Sequence, residues 1–208
     1  MADGGYTFTT NWFDQTAGYW PHLVRLAKGL HGDSLTCVDA GTYEGRSAIY
    51  MLDHVVGPAG RVYVIDTFDD PAIAATFTAN IARHPRRDQV EVITGDVVTA
   101  LPALAERLGE TVHFLYLDAC KTALGNITSL YMGERMLALG GIMVVDDYLW
   151  HRTPDPRTSP RMGINAYSSM TLLCEEMAVP RSQAAFQKKL PNAHLVDLYE
   201  EGTAARAG

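Results

Sequence analysis

The stretch 36–48, TCVDAGTYEGRSA, constrains the fold more than any other part of the chain. Thr36-Cys37-Val38 is a short apolar run that ends in Asp39-Ala40-Gly41, and a second glycine, Gly45, lies in the same loop. Ser47-Ala48 then opens the helical-looking segment SAIYMLDHV. The pattern is a strand, a tight glycine turn and a helix N-terminus. Glycine lacks a Cβ and tolerates positive φ, so backbone there can approach a ligand closely. The unpaired N–H groups of the helix start then face an anionic group. The G-x-G-x-x-G spacing of nicotinamide and flavin sites is absent, and Arg46-Ser47 stands where a P-loop requires Gly-Lys-Ser/Thr. On the loop alone, a strand–helix turn without a ligand stays open.

Beyond the turn, apolar strands alternate with helical segments. VYVIDTF (62–68), VEVITGDV (90–97), VHFLYLDA (112–119) and GIMVVDDY (141–148) read as buried strands. Helices are expected over 47–56, 71–84, 98–109 and 122–139, the last stopped by Gly140-Gly141. This alternation predicts an α/β fold, a doubly wound, mostly parallel sheet with helices on both faces. Residues 1–9 read as loose, and 11–30 as one or two helices interrupted at Pro21. HRTPDPRTSPR (151–161) is a Pro- and Arg-rich loop, and 163–178 carries one apolar helical face. Two last strands, about 182–189 and 194–199, flank the turn Leu190-Pro191-Asn192 as a C-terminal antiparallel hairpin, giving seven strands. The chain of 208 residues, 47% hydrophobic, is expected to form one domain, with 1–33 a helical segment ahead of the core 34–208.

Acidic residues recur at the strand ends: Asp39, Asp66, Asp96, Asp118 and Asp146-Asp147. Ligands of such sheets bind outside the carboxyl ends of the strands. Asp66, 21 residues beyond Gly45, is placed to accept hydrogen bonds from both hydroxyls of a ribose. Strands four and five are expected side by side, about 4.8 Å apart. Asp118, Asp146 and Asp147 would then meet on one ion, and oxygen-only ligation suits Mg²⁺ or Ca²⁺ better than zinc. The alternative is a polar strand end with no metal. Lys121, expected to be partly desolvated with a lowered pKa, and His151 are the candidate bases. His113, inside a strand, reads as structural.

The turn and these acids together resemble the class I S-adenosylmethionine (SAM)-dependent methyltransferases. GTYEGRSAIYML is similar to the G-x-Y-x-G-x-S-A loop of small metal-dependent O-methyltransferases of the catechol, caffeoyl-CoA and macrolide-sugar types. Trp12-Phe13 resembles a W-F segment ahead of that loop, and Gly95-Asp96 a segment flanking adenine. The resemblance implies a Rossmann-like methyltransferase sheet ending in an antiparallel hairpin. It implies cofactor contacts from Gly41, Thr42, Tyr43, Gly45 and Ser47 in the turn, from Asp66, Thr67 and Phe68, and from Asp96, Val97 and Asp118. It also implies a metal on Asp118, Asp146 and Asp147 and a base at Lys121, with Cys120 where the caffeoyl-CoA type has Asp. The expected reaction is methyl transfer from SAM to a hydroxyl of a small molecule, a catechol-like or sugar diol of secondary metabolism, with Mg²⁺ or another divalent cation. Metal-free transfer using Lys121 or His151, and SAM binding without methylation, stay open.

Composition narrows the partners. A net charge of −7 and a pI near 5.4 argue against a nucleic-acid partner, which needs a concentrated basic face. Cys37, Cys120 and Cys174 are far apart and set in apolar segments, and read as reduced, buried and cytoplasmic. MADGGYTFTT is too polar for a signal peptide, and no apolar run approaches membrane-spanning length. A homodimer is expected, with 151–161 a lid or a subunit contact.

Overall fold

The computed structural model of the protein describes residues 5–180 and 182–196. Five strands run parallel: β1 (Thr36–Ala40), β2 (Arg61–Asp66), β3 (Val90–Thr94), β4 (Val112–Leu117) and β5 (Leu137–Val145). β6 (Cys174–Met177) and β7 (Ala184–Lys188) complete the sheet antiparallel, in the order β3-β2-β1-β4-β5-β7-β6. The order reverses at β1, which lies between β2 and β4, and the glycine turn leaves from that reversal. The expected seven-stranded, doubly wound α/β sheet is therefore present.

Among the described residues, the helices that flank the sheet are α1 (Trp12–Thr16), α2 (Trp20–His31), α3 (Arg46–Tyr50), α4 (Pro71–Arg83), α5 (Val97–Leu108), α6 (Ala123–Met136) and α7 (Pro160–Met170). The first three and α4 cover one face, where Phe13, Trp20, Ile49 and Phe77 pack with Phe114 and Tyr116 of β4. The last three cover the other, with Leu101, Leu130, Ile164 and Tyr167 over Leu115 and Met143. Burial of the central strands on both faces explains their nearly continuous apolar sequence. Helix starts follow local chemistry. Asp70, ahead of Pro71, accepts from Ala72 N at 2.8 Å, and Asp96 accepts from Val98 N at 2.9 Å. No helix among the described residues is long and apolar enough to cross a membrane.

The structure corrects four local expectations. The helix over 122–139 ends at Met136, and Gly140-Gly141 lie inside β5, not at a helix stop. The register of β4 against β5 shifts between Val112 and Phe114, and Gly140 (φ 84°) sits in that irregularity. The helix over 163–178 runs over 160–170, and 174–177 pairs with β7 instead, so the terminal antiparallel pair is 174–177 with 184–188. In the expected last strand, residues 194–196 are helical, and 197–199 lie outside the described residues. The loose N-terminus is tied down over 7–9. Thr9 N and Oγ1 each donate to the buried Glu44 carboxylate at 2.7 Å, while Thr7 exchanges bonds with the Asn80 amide.

Gly41 is the tightest point of the β1 exit. It has φ 93°, and a Cβ there would stand 2.6 Å from the backbone nitrogen of Ala119. Gly95 has open space around its Cβ position. Gly41→Ala should therefore lower unfolding free energy by about 2–4 kcal/mol, and Gly95→Ala should change it by less than about 0.5 kcal/mol. Urea denaturation of both variants checks the contrast; equal effects would contradict it.

Candidate active site

The turn after β1 is held from three sides. Gly41 N donates to Ile65 O at 2.8 Å, Gly45 N to Thr42 O at 2.9 Å, and Asn80 Nδ2 to Glu44 O at 3.0 Å. Gly45 is left-handed at φ 87°, and Tyr43 holds φ 55°. Asp39 is fully buried, and Ser47 Oγ donates to its Oδ2 at 2.7 Å. Asp39 Oδ1 and Thr42 Oγ1 are also buried, and the Thr42 hydroxyl, like that of Ser47, favours the Asp39 anion. Burial pushes the Asp39 carboxyl up to about 6, against the bond from Ser47 that favours the anion.

At the end of β2, Asp66 accepts from Tyr43 N at 2.9 Å and from Phe68 N at 3.1 Å. It thereby couples the first turn to the second, where Phe68 holds φ 51°. A cavity of about 490 Å³ opens outside these strand ends. Gly41, Tyr43, Asp66 and Thr67 line it on one side, Asp96 and Val97 on another, and Asp118, Cys120 and Lys121 beyond β4. Thr42 and Ser47 line a small adjoining recess of about 40 Å³, which shares Gly41, Tyr43, Asp118 and Trp12 with the larger cavity. Of the sequence-predicted set, Gly45 and Phe68 line neither. Gly45 faces Phe77, and the Phe68 ring packs on Phe77 with centroids 4.8 Å apart. Cys37 and Cys174 are buried thiols, whereas Cys120 is only half-buried.

The ends of β4 and β5 carry the ionisable group. Lys121 Nζ lies 2.5 Å from Asp118 Oδ1 and 2.5 Å from Asp147 Oδ2, and donates to Asp118 O at 2.8 Å. Asp147 is left-handed at φ 61°. Asp146 faces the other way, into the aromatic core. Its Oδ2 accepts from Tyr116 OH, from Thr16 Oγ1 at 3.0 Å and from Gln183 Nε2 at 3.1 Å, and its Oδ1 from Asp147 N at 2.7 Å. Burial lowers the Lys121 pKa, but Asp118 and Asp147 outweigh it and hold the ammonium above its ordinary value. The expectation of a lowered lysine pKa is thus reversed, because two carboxylates touch the amine. Burial pushes Asp118 up to about 7, with Lys121 opposing and Asp146 adding to the shift.

His151 is not brought into this group. It is exposed on the segment after β5 and lines a separate cavity of about 470 Å³ with Tyr148, Asp155 and Arg161. His113 is structural, accepting from Thr36 N at 2.9 Å through Nδ1. Sequence reasoning missed Glu44, Thr16 and Gln183, whose partners lie 35 to 130 positions away. It also missed Tyr116 as a polar group, since its strand setting reads as apolar.

Residues 38–148, more than half of the chain, match the family described as a methyltransferase domain. The chain belongs to this methyltransferase family. A catechol O-methyltransferase of Mycobacterium tuberculosis is 30% identical over 137 residues, which span 61% of this methyltransferase and 59% of that relative. The methyltransferase also shares its fold with the O-methyltransferase TomG of Streptomyces achromogenes, solved in complex with SAM. The TM-score is 0.66 at 17% identity, over 84% of this chain and 81% of that one. A cofactor-bound protein from MTB superposes with a TM-score of 0.66 at 22% identity, over 90% and 85% of the two chains.

The residues of this methyltransferase fit a nucleoside cofactor. The cavity is of ligand size and lined by Asp66 and Asp96, and the hydroxyls of Thr42 and Ser47 line the recess that adjoins it. They do not fit the expected metal triad. No group of three ligating side chains is arranged for a metal among the described residues. Lys121 lies between Asp118 and Asp147, and Asp146 is held by three donors on Oδ2 and one on Oδ1, all from the protein.

The raised Asp39 pKa has a stability consequence. The folded state holds this proton more tightly than the unfolded chain, so the ionised carboxylate is a burden above pH 6. That burden lifts as pH falls through about 6 towards the unfolded value near 3.8. From pH 8 to pH 5 the wild type should gain about 1–2 kcal/mol relative to Asp39→Asn. Denaturation of both proteins at the two pH values measures the difference; parallel pH dependences would contradict it.

Proposed function

We propose that this methyltransferase transfers the methyl group of SAM to a hydroxyl oxygen of a small molecule. The observation that carries the reading is the Asp66-to-Asp118 cavity, a continuous wall of strand-end carboxylates facing the glycine turn. When bound, the cofactor supplies a methyl group on a positively charged sulfur, ready for in-line displacement. Asp66 accepts from the ribose hydroxyls, with lone pairs left after its two backbone bonds. Asp96 and Val97 flank the adenine, together with Thr67. Ser47, Thr42 and the N–H groups of the turn take the methionine end. Asp66, through its bonds from Tyr43 N and Phe68 N, holds the two turns in register.

Asp118 is the proposed proton acceptor for the attacking hydroxyl, because burial brings its carboxyl close to neutrality. Lys121 supports the negative charge that develops there, and His151 is the second candidate on the acceptor side. The 30%-identical relative is named for a catechol substrate, which favours a catechol-like aromatic over a sugar diol as the first acceptor to test. The loop 151–161 walls the neighbouring 470 Å³ cavity, and this supports its role as a lid over the acceptor. Exposed Leu149, Trp150 and Met162 beside it support a homodimer contact. Residues 1–208 are one catalytic unit in this reading, which the fastening of 7–9 onto Glu44 and Asn80 of the core supports.

Two measurements test the reading. Asp66→Ala removes a charged acceptor whose hydrogen bonds contribute roughly 1.5–3 kcal/mol each, so SAM affinity by calorimetry should fall at least about tenfold. Unchanged affinity would remove Asp66 from the cofactor site. Incubation with methyl-labelled SAM and catechol should give labelled O-methylated product. Binding of SAM with no product from any hydroxylated acceptor would favour a binding protein that does not methylate.

A further inference from the structure

We propose that Lys121 is a built-in cation: its ammonium fills the position between Asp118 and Asp147 that a divalent ion would need, and shortening it opens a divalent-ion site there. This goes beyond the proposed reaction and does not depend on it. The ammonium is saturated. An ammonium has three N–H donors, and Lys121 Nζ has three acceptors in place: Asp118 Oδ1 at 2.5 Å, Asp147 Oδ2 at 2.5 Å and Asp118 O at 2.8 Å. The lysine is also held where it is. Asn126 Nδ2 donates to Cys120 O at 2.6 Å and to Thr122 O at 3.1 Å, and Thr122 caps α6 through Gly125 N at 3.1 Å. The turn bearing Lys121 is thereby fixed against the helix start.

Asp146 is committed elsewhere. It is buried among four donors from four parts of the chain, α1, β4, its own neighbour and the segment before β7. Gln183 cannot turn its amide away without loss, because its Oε1 accepts from Trp20 Nε1 at 3.2 Å. Recruiting Asp146 to an ion would leave several of these buried groups unpaired, each at a cost of about 1–3 kcal/mol. Asp118 and Asp147 are different, since one cation already joins them. One oxygen of each carboxylate already converges on a single cation, as oxygens of a divalent ion's shell do. Without Lys121, two carboxylates face one another across the place it fills, and their repulsion favours any cation that enters.

Mn²⁺ binding to the full chain, followed by electron paramagnetic resonance of the free ion, tests this without SAM or an acceptor. The wild type should show no site tighter than about 1 mM. Lys121→Ala and Lys121→Met should each bind one ion at least about tenfold more tightly than the wild type, and adding Asp147→Asn should abolish the gain. The wild-type measurement stands alone if either variant fails to fold. Tight Mn²⁺ binding by the wild type, lost in Asp147→Asn, would overturn the proposal. So would folded Lys121 variants that bind no better than the wild type.

Discussion

Three backbone hydrogen bonds, made just past the strands, hold the carboxyl ends of β1, β2, β4 and β5 at one level. Gly41 N donates to Ile65 O at 2.8 Å, Asp118 N to Ala40 O at 2.8 Å and Asp146 N to Leu117 O at 3.0 Å. Each extends the parallel ladder by one residue and delivers an exit residue to the same edge of the sheet. The close approach at Gly41 belongs to the same constraint, because the backbone of 118–119 occupies the space a side chain would need. With the ends level, Asp66, Asp96 and Asp118 reach one wall. A one-residue slip of any strand would send its acid to the opposite face.

The strain collects where the chain leaves this edge. Among the described residues the non-glycine positions with positive φ are Tyr43, Phe68 and Asp147, after β1, β2 and β5 respectively. Left-handed backbone at such residues is unfavourable and persists only where surrounding bonds fix it. Here the fixing bonds are Tyr43 N and Phe68 N to Asp66, and Asp147 N to Asp146. Asp66, which presents charge to the cavity, therefore also holds the two turns that shape it. Substituting it alters both binding and local geometry, so affinity and stability need separate measurement.

Much of this was legible in the sequence because it is local. The strand–turn–helix at 36–48, the strand ending at Asp66 and the β4 exit at Asp118 follow from apolar runs punctuated by glycine and acid. What was not legible depends on pairing. β5 begins at Leu137 because that residue aligns with Val112 of β4, a partner that the helical spacing of 122–139 does not reveal. Residues 174–177 carry on an apolar helical spacing, yet β7 offers them a sheet edge. The acidic pair 146–147 reads as two equal ligands in sequence. Folding separates them, since Thr16, Tyr116 and Gln183 claim Asp146 while Lys121 claims Asp147. The lysine itself was visible, but its pKa direction was not, because that depends on Asp118 and a second carboxylate 26 positions along the chain closing on one amine.

The central claim is that the strand-end cavity between Asp66 and Asp118 is the cofactor site. A crystal structure of the protein grown with SAM tests it most directly. The account predicts density for the nucleoside between Asp66 and Asp96, with the methionine end reaching the turn at Gly41–Ser47. Density confined to the cavity beside His151, or an empty strand-end cavity at saturating SAM, would contradict it.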